Sequence, residues 1–349
     1  MLQLVLDLVF KLIRIIAKIL PLKRENICVI AIHKLGDSIF TFDALNSIKK
    51  FYGDDVYVIC STDAEPIFEL VHRKNFLLSI PKNYFHFGDR YLDIKARKLL
   101  RSLKPKVIID LTGVMTSASL IFSSRAKKIF GFNRKIFRNI YDNFTGFNLG
   151  NHSREIYINA IKHVIPIVDF NYDHNCADES DKILIAPFAG WKSKEWSLMR
   201  YIELAIRLKK KYKVHIVFDN RTISETLKNY LNDNQINFIK VEHVSELIKE
   251  IESCTLLIGN DSGPVQIAAL LGKYTFSIYG PTNPKFHLPK GEKHFYIQKK
   301  IVCTPTSDER LCFTDGGKNG CPAFECLNLL SVDDVYNTLK ANLLSEIFF

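Results

Sequence analysis

Short apolar runs alternate along this chain with segments whose apolar positions recur at helical spacing, and the alternation begins at residue 26. ICVIAI (27–32) has the length of a buried strand, the polar turn His33-Lys34-Leu35-Gly36-Asp37-Ser38 follows, and 39–51 has the spacing of a helix. Strand 56–60, a helix around 64–73, strand 107–111, a helical stretch near 116–124, strand 127–131 and helix 154–165 continue the series. Residues 133–155 carry many basic and aromatic residues without clear period and read as a loop with a basic surface. The polar, acidic stretch 166–181 marks a linker. The alternation restarts with strand 182–188, loop 189–196, helix 197–211, strand 214–219, helix 222–232, strand 236–241 and helix 244–252. Strand 256–258, a glycine-rich turn, helix 265–271 and strand 274–280 complete it, before the turn Pro281-Thr282-Asn283-Pro284. Such alternation predicts parallel sheets covered on both faces, so 26–165 and 182–330 read as two tandem α/β domains. Ser331 and Asp334 resemble a capping box that opens a helix over 332–345, and 331–349 is expected to cross back over both domains.

Residues 1–25 precede this series. The first twenty, MLQLVLDLVFKLIRIIAKIL, form an amphipathic helix by pattern, with Asp7, Lys11, Arg14 and Lys18 at steps of four, three and four. A secretory signal would place its charges before the apolar run and end in a small-residue cleavage site, and neither holds. A spanning helix is nearly free of charge, whereas this one carries four charged groups. Two readings remain open: a helix lying in a membrane interface, favoured by the basic stripe and Lys23-Arg24, or one whose broad apolar face packs on the protein.

A length of 349 residues suits two domains, and 47% hydrophobic with 24% charged residues is the composition of a globular protein. The net charge of +11 adds a constraint, since it implies anionic company: nucleic acid, a phosphorylated substrate or an acidic membrane surface. Basic residues are spread over both halves without a nucleic-acid-binding motif, which argues against nucleic acid. Eight cysteines are too sparse for a disulfide scaffold, so a reducing compartment is expected. Four of them, Cys303, Cys312, Cys321 and Cys326, are separated by eight, eight and four residues. Zinc ligands usually arrive in pairs two to four residues apart, so a folded loop with neutral thiols is favoured over a metal or a disulfide.

The stretch 256–272, LLIGNDSGPVQIAALLG, carries the strongest local signal. A strand feeds a glycine-rich turn and a helix start with Pro264 in its first turn, leaving backbone N–H groups aimed outward with the positive end of the helix dipole. That suits a phosphate; the plainer reading is that Asp261 or Ser262 caps the helix. No G-x-G-x-x-G follows a strand and no G-x-x-x-x-G-K-[ST] occurs, which removes the main support for a dinucleotide site or a P-loop. G-x-S-x-G and H-E-x-x-H are also absent. Three polar loops do fall at carboxyl ends of predicted parallel strands, where open α/β sheets bind ligands: 33–38, 189–196 and 259–264. They offer the carboxylate of Asp37, Lys192 and Lys194, and the helix-start anion cradle. Placed on the walls of a cleft between two domains, these groups suit transfer from a nucleotide-activated donor.

Three stretches resemble glycosyltransferase family 9, the lipopolysaccharide heptosyltransferases, in order and over nearly all of 26–340. They are IAIHKLGDSIFTFDALNSIKK (30–50), APFAGWKSKEWSLMRYIELAIRL (186–208) and LIGNDSGPVQIAALLGKYTFSIYGPTNP (257–284). The resemblance implies a GT-B fold, with the acceptor on the amino-terminal Rossmann-like domain and the sugar nucleotide on the carboxyl-terminal one. It implies inverting transfer of a heptose from ADP-heptose to the Kdo/heptose inner core, with no metal or other cofactor. Asp37 would be the general base, or else only a helix cap; Lys194 would neutralise charge on the leaving phosphate. Asp261, Ser262 and Gly263 would hold the diphosphate, with Asp261 ordering the turn or meeting a hydroxyl. Lys192 and Glu225 are weaker donor-side candidates, the latter for the ribose. Gln266 replaces the family's usual histidine; it can donate a hydrogen bond but carries no proton, which leaves the exact sugar open.

His33, Lys34, Arg134 and Arg138, with Lys135, would face a lipid A-linked anionic acceptor. Residues 1–20 would hold the protein on the cytoplasmic face of the inner membrane. The competing readings are a family member using another nucleotide sugar for a different surface glycan, and a non-catalytic sugar-nucleotide-binding protein. Joint retention of Asp37, Lys194 and the D-S-G-P turn argues against the latter.

Overall fold

The structure, a computed structural model, describes residues 2–19, 25–146, 152–168, 181–221, 223–312, 321 and 323–344. The chain forms two compact units, Met1–Asn171 and Tyr172–Phe349. Most of the expected linker (169–180), Lys23-Arg24, part of the cysteine-bearing tail (313–320) and the end of the last helix (345–349) lie outside the described residues.

Unit 1 opens with α1 (Leu2–Ile19), then β1 (Asn26–Ile30), α2 (Leu35–Phe40), α3 (Phe42–Tyr52), β2 (Val56–Ser61), α4 (Glu65–Glu69) and β3 (Leu77–Ile80). A small hairpin, β4 (Phe85–His86) with β5 (Tyr91–Leu92), leads to α5 (Ile94–Ser102), β6 (Pro105–Asp110), α6 (Met115–Ile121), β7 (Lys128–Asn133), β8 (Asn143–Gly146) and α7 (Ser153–Ile161). Six strands make one parallel sheet in the order β3-β2-β1-β6-β7-β8, so the order reverses between β1 and β6. Ile30, Ile59, Ile108 and Ile129 from four of these strands meet Ala96, Leu100 and Leu120 from the covering helices in one core.

The structure departs from the sequence expectations in unit 1 at several places. The single helix expected over 39–51 divides at Thr41, whose hydroxyl bonds the Ser38 carbonyl at 2.6 Å. The expected loop 133–155 contains a 3-10 segment, Lys135–Ile140, and the edge strand β8, whose half-exposed NFTG lacks the apolar run of a buried strand.

In α1 the Arg14 and Lys18 end of the polar stripe turns toward the rest of unit 1, while Lys11 is exposed. Buried Arg14 donates to the carbonyls of Ser124 (3.4 Å) and Ala126 (3.2 Å) and to Asp142 (2.7 Å), and Lys18 pairs with the same carboxylate. Phe10 packs on Phe122 and Phe137. The reading in which the broad apolar face packs on the protein is therefore overturned: Leu8, Leu12 and Ile19 are exposed.

Unit 2 runs β9 (Lys182–Ala186), α8 (Leu198–Leu208), β10 (Lys213–Phe218), α9 (Glu225–Asp233), β11 (Asn237–Lys240), α10 (Val244–Glu252), β12 (Leu256–Asn260), α11 (Gly263–Leu270) and β13 (Tyr274–Tyr279). Then come α12 (Pro284–His287), β14 (His294–Gln298), α13 (Glu325–Asn328) and α14 (Val332–Leu339). Its parallel sheet has the order β11-β10-β9-β12-β13-β14, reversing between β9 and β12. The expected capping box is present: Asp334 N–H donates to Ser331 Oγ and Ser331 N–H to the Asp334 carboxylate. The C-terminal segment contributes Val332, Val335, Leu339 and Leu343 to the core of unit 2, beside Tyr201 and Leu204 of α8.

At Gly131 two sheet strands approach too closely for a side chain. Its φ is +143°, and a Cβ there would lie 2.2 Å from the Asp110 carbonyl oxygen, its neighbour across β6 and β7. Gly131→Ala is expected to destabilise unit 1 by about 3 kcal/mol, whereas Gly146→Ala, in open space, should change stability by less than about 0.5 kcal/mol. Urea dependence of amide exchange in β6 and β7 checks this.

Candidate functional site

In unit 2 the site grows from the end of β12. Asn260 is buried, and its side-chain oxygen accepts from the Trp196 N–H and the Tyr201 hydroxyl, both at 3.0 Å, while its amide donates to the Pro187 carbonyl at 2.8 Å. One side chain thus ties the exit of β9, the start of α8 and the end of β12. The next residue, Asp261, is also buried. Its carboxylate accepts from Lys194 at 2.6 Å and from the Thr282 hydroxyl at 2.7 Å, and Lys194 also reaches the Asp261 carbonyl at 3.3 Å. Lys194 lies over the Trp191 ring at 4.8 Å. Burial alone would raise the Asp261 pKa, but the charges of Lys194 and His287 and the bonds from Lys194 and Thr282 hold it below the usual carboxylate range.

The D-S-G-P turn leads straight into α11, with Pro264 in the first turn. The plain capping reading fails here. Asp261 is engaged with Lys194 and Thr282, and Ser262 makes no side-chain cap; its buried hydroxyl, like that of Tyr279, has no partner among the described residues. The first N–H groups of α11 have no partner inside the helix, so an anion there would meet donors and the positive end of the dipole. Gln266 is buried and donates its amide to the His287 carbonyl at 2.7 Å, linking α11 to α12.

The weaker donor-side candidates take surface positions. Lys192 is exposed and pairs with Glu195 at 3.0 Å; Glu225 is exposed on the first turn of α9 and pairs with Lys228 at 2.6 Å. Sequence reasoning missed Glu195, whose side chain is only 4% exposed. It accepts from the Ala189 N–H at 3.1 Å and from Arg221 at 2.6 Å, and so braces the loop that carries Lys194. Arg221 in turn lies over the Phe188 ring at 4.3 Å. Thr282 was legible only as part of a Pro-rich turn.

Unit 1 has a corresponding edge where β1 and β6 diverge. Asp37 is exposed in the first turn of α2; Lys34 is the N-cap and makes no side-chain cap, so Asp37 is not the helix cap. His33 Nε2 lies 3.0 Å from the Leu111 carbonyl and the ring meets Tyr157 edge-on at 5.2 Å. A carbonyl only accepts, which puts the proton on Nε2. Burial lowers the His33 pKa, opposed by the Asp37 charge and the Leu111 bond, and so favours a neutral ring. Beneath this edge lies Asp110, fully buried. It accepts from Tyr141 (2.6 Å), Ser117 (2.7 Å) and the N–H groups of Thr112 (2.9 Å) and Gly113 (3.3 Å). Burial pushes its pKa up to about 6 against the pull of those four donors.

Lys34 is exposed beside Asp37, and Arg134 is exposed just past the end of β7. Arg138 stands elsewhere in the unit: with Asp7, Lys135 and Asn139 it lines a hollow beside α1. Among the described residues no group of three or more His, Cys, Asp or Glu side chains is placed to hold a metal ion. The four tail cysteines are unbridged and line one hollow of about 200 Å³ with Ser193, Gly280 and Pro281.

Known proteins match this chain in three comparisons. The family model for glycosyltransferase family 9 (heptosyltransferase) matches residues 139–314. Lipooligosaccharide heptosyltransferase 2 of Haemophilus influenzae is 30% identical over 76 residues, a stretch that spans only 22% of this chain and 22% of that relative. Among solved structures, a family 9 glycosyl transferase from Veillonella parvula superposes with a TM-score of 0.71 at 19% identity, covering 93% of this chain and 99% of that one. The E. coli ADP-heptose lps heptosyltransferase II gives 0.68 at 18% identity, covering 92% and 99%. At these identities the likeness is one of fold, the GT-B class with two parallel sheets.

Both tryptophans lie in unit 2, so their fluorescence reports that unit's unfolding. Asp261→Ala, which leaves Lys194 unpaired, is expected to cost roughly 3 kcal/mol in urea titrations followed by this signal, and Thr282→Val about 1 kcal/mol. A carboxylate held low in the fold stabilises above its unfolded pKa and loses that contribution as pH falls through the folded value. The wild-type excess over Asp261→Ala should therefore persist at neutral pH and shrink below about pH 4.

Proposed function

The chain belongs to glycosyltransferase family 9, the heptosyltransferase family, and from that premise we propose that it transfers a heptose from ADP-heptose to the Kdo/heptose inner core of lipopolysaccharide. The observation that carries the reading is the convergence at the strand-order reversal of unit 2. Lys194 after β9, Asp261 after β12 and Thr282 after β13 meet in one hydrogen-bonded group beside the open N-terminus of α11. Strand-order reversals are where open α/β sheets bind ligands.

In this reading the diphosphate of the donor sits at the first turn of α11, with the Ser262 hydroxyl and Gly263 N–H as donors. Lys194, already gripped by Asp261, faces the charge that grows on the leaving phosphate. Asp261 holds the lysine rather than meeting phosphate, since two anions would repel. The acceptor belongs to unit 1. Asp37 takes the proton from its hydroxyl as that oxygen attacks the anomeric carbon; the bond to the diphosphate breaks, and its electron pair leaves with ADP. Attack opposite the leaving group inverts the anomeric centre. Neutral His33, exposed Lys34 and Arg134 serve the same edge on the acceptor side, and the reaction lies at the cytoplasmic face of the inner membrane, where a lipid-linked acceptor is presented. No metal takes part.

A second donor is favoured by one observation. Gln266 spends its amide on the His287 carbonyl, where the family's usual histidine could offer a charged donor. A family member with this change would accept another nucleotide sugar for a different glycan.

Thermal-shift titration with ADP, UDP, GDP and CDP, then ADP-heptose, tests the donor: stabilisation by ADP is expected, and stabilisation by UDP alone would overturn the assignment. Asp37→Asn should lower kcat by about 10²- to 10⁴-fold while ADP-heptose binding is unchanged. Gln266→His should tighten ADP-heptose binding if the chain uses that donor.

A further inference from the structure

α1 is mounted with the Arg14 and Lys18 end of its polar stripe inward. Arg14 is buried against the Ser124 and Ala126 carbonyls, and Asp142 is bound by both Arg14 and Lys18. Asn139 donates to the Asp7 carbonyl at 3.4 Å. Two of the four charges on the helix, Arg14 and Lys18, are thus consumed in fixing it to the rest of unit 1. What remains outward is mostly apolar: Leu8, Leu12, Ile15, Ile16 and Ile19 are each close to half exposed or more, with Leu8 at 69% and Ile19 at 75%. A contiguous apolar stripe over about three helical turns is a binding surface rather than ordinary scatter.

The rim of this stripe is cationic. Lys11 is exposed on the helix itself, and Lys135 and Arg138 are exposed on the 3-10 segment that packs against α1. Arg125, Lys127 and Lys128, next in sequence to the carbonyls held by Arg14, are exposed as well. Against them stand Asp7 and Asp142, the latter neutralised by its two partners. No described helix is long and apolar enough to cross a membrane. An apolar stripe bordered by cations matches a surface with anionic headgroups above acyl chains.

We propose that α1 docks this protein on an anionic lipid surface through its outward apolar face, and that its inward Arg14 and Lys18 hold the rest of unit 1 rigidly to the docked helix. The inference is independent of the donor and acceptor reading, because vesicle binding is measured without either substrate.

The test is flotation of the full chain with phosphatidylcholine vesicles, with and without phosphatidylglycerol, beside light scattering for oligomeric state. Wild type should float with the anionic vesicles and far less with the neutral ones. Leu12→Glu and Ile16→Glu should each reduce binding about tenfold or more, and Lys135→Ala with Arg138→Ala should make it weaker and less salt-sensitive. Unchanged circular dichroism and ADP thermal shift would show that these surface variants still fold. The proposal is overturned if wild type binds both vesicles equally or neither. It is also overturned if Leu12→Glu and Ile16→Glu float like wild type, or if they instead convert a dimer to a monomer, since a second copy would then cover the stripe.

Discussion

A buried carboxylate cannot stay ionised without partners, and at Asp261 that constraint organises the carboxyl edge of unit 2. Lys194 arrives from the loop after β9, Thr282 from the turn after β13, and Asp261 itself follows the strand between them. The three loops meet because the anion requires it. Asn260 performs the neutral version of the same task one residue earlier, binding Trp196, Tyr201 and Pro187. With both side chains facing back into the fold, the following residues can present unpaired backbone N–H groups at the start of α11 without the turn losing its shape.

Unit 1 solves the equivalent problem differently. Asp110 ends β6, the strand just past the reversal, as Asn260 ends β12 in unit 2. Among the described residues no lysine reaches Asp110; its four donors are neutral, from Tyr141, Ser117, Thr112 and Gly113. Neutral donors offset burial only in part, which is why this carboxyl is pushed up to about 6 while Asp261 is held low. The consequence is a division of labour between two carboxylates on one edge. Asp110 is spent on structure, bracing the loops after β1 and β6, and Asp37 is left exposed and uncapped at the start of α2. A proposed base needs that exposure, because it must reach a proton on a substrate.

The β/α alternation, both parallel sheets and the strand–turn–helix at 256–272 were legible in the sequence, since each depends on local periodicity and turn chemistry. The polar turn that holds Asp261 was legible too, though not the bonds its carboxylate makes to Lys194 and Thr282. Glu195 and Arg221 were not, because their importance comes from a contact across 26 positions that no local spacing signals. β8 was hidden for a related reason: an edge strand with a half-exposed pattern lacks the apolar run by which buried strands are recognised. Gln266 was visible as a departure from the family pattern, but its bond to the His287 carbonyl could be seen only once α12 was in place.

The amphipathic pattern of α1 established that the helix has two faces and left open which one the protein keeps. Burying the apolar face would bring about 1.5–3 kcal/mol for each large side chain, so that orientation is the default for a helix on a globular surface. Here the fold keeps the costly face instead. Arg14 is taken out of water at the expense of a side-chain nitrogen, Nε, that finds no partner among the described residues, and is compensated only by two carbonyls and Asp142. This orientation accepts that cost and leaves Leu8, Leu12, Ile15, Ile16 and Ile19 outside. In the docking proposed above a second apolar medium takes the outer face, and it is the direction in which Arg14 points, not the hydrophobic periodicity, that motivates that proposal.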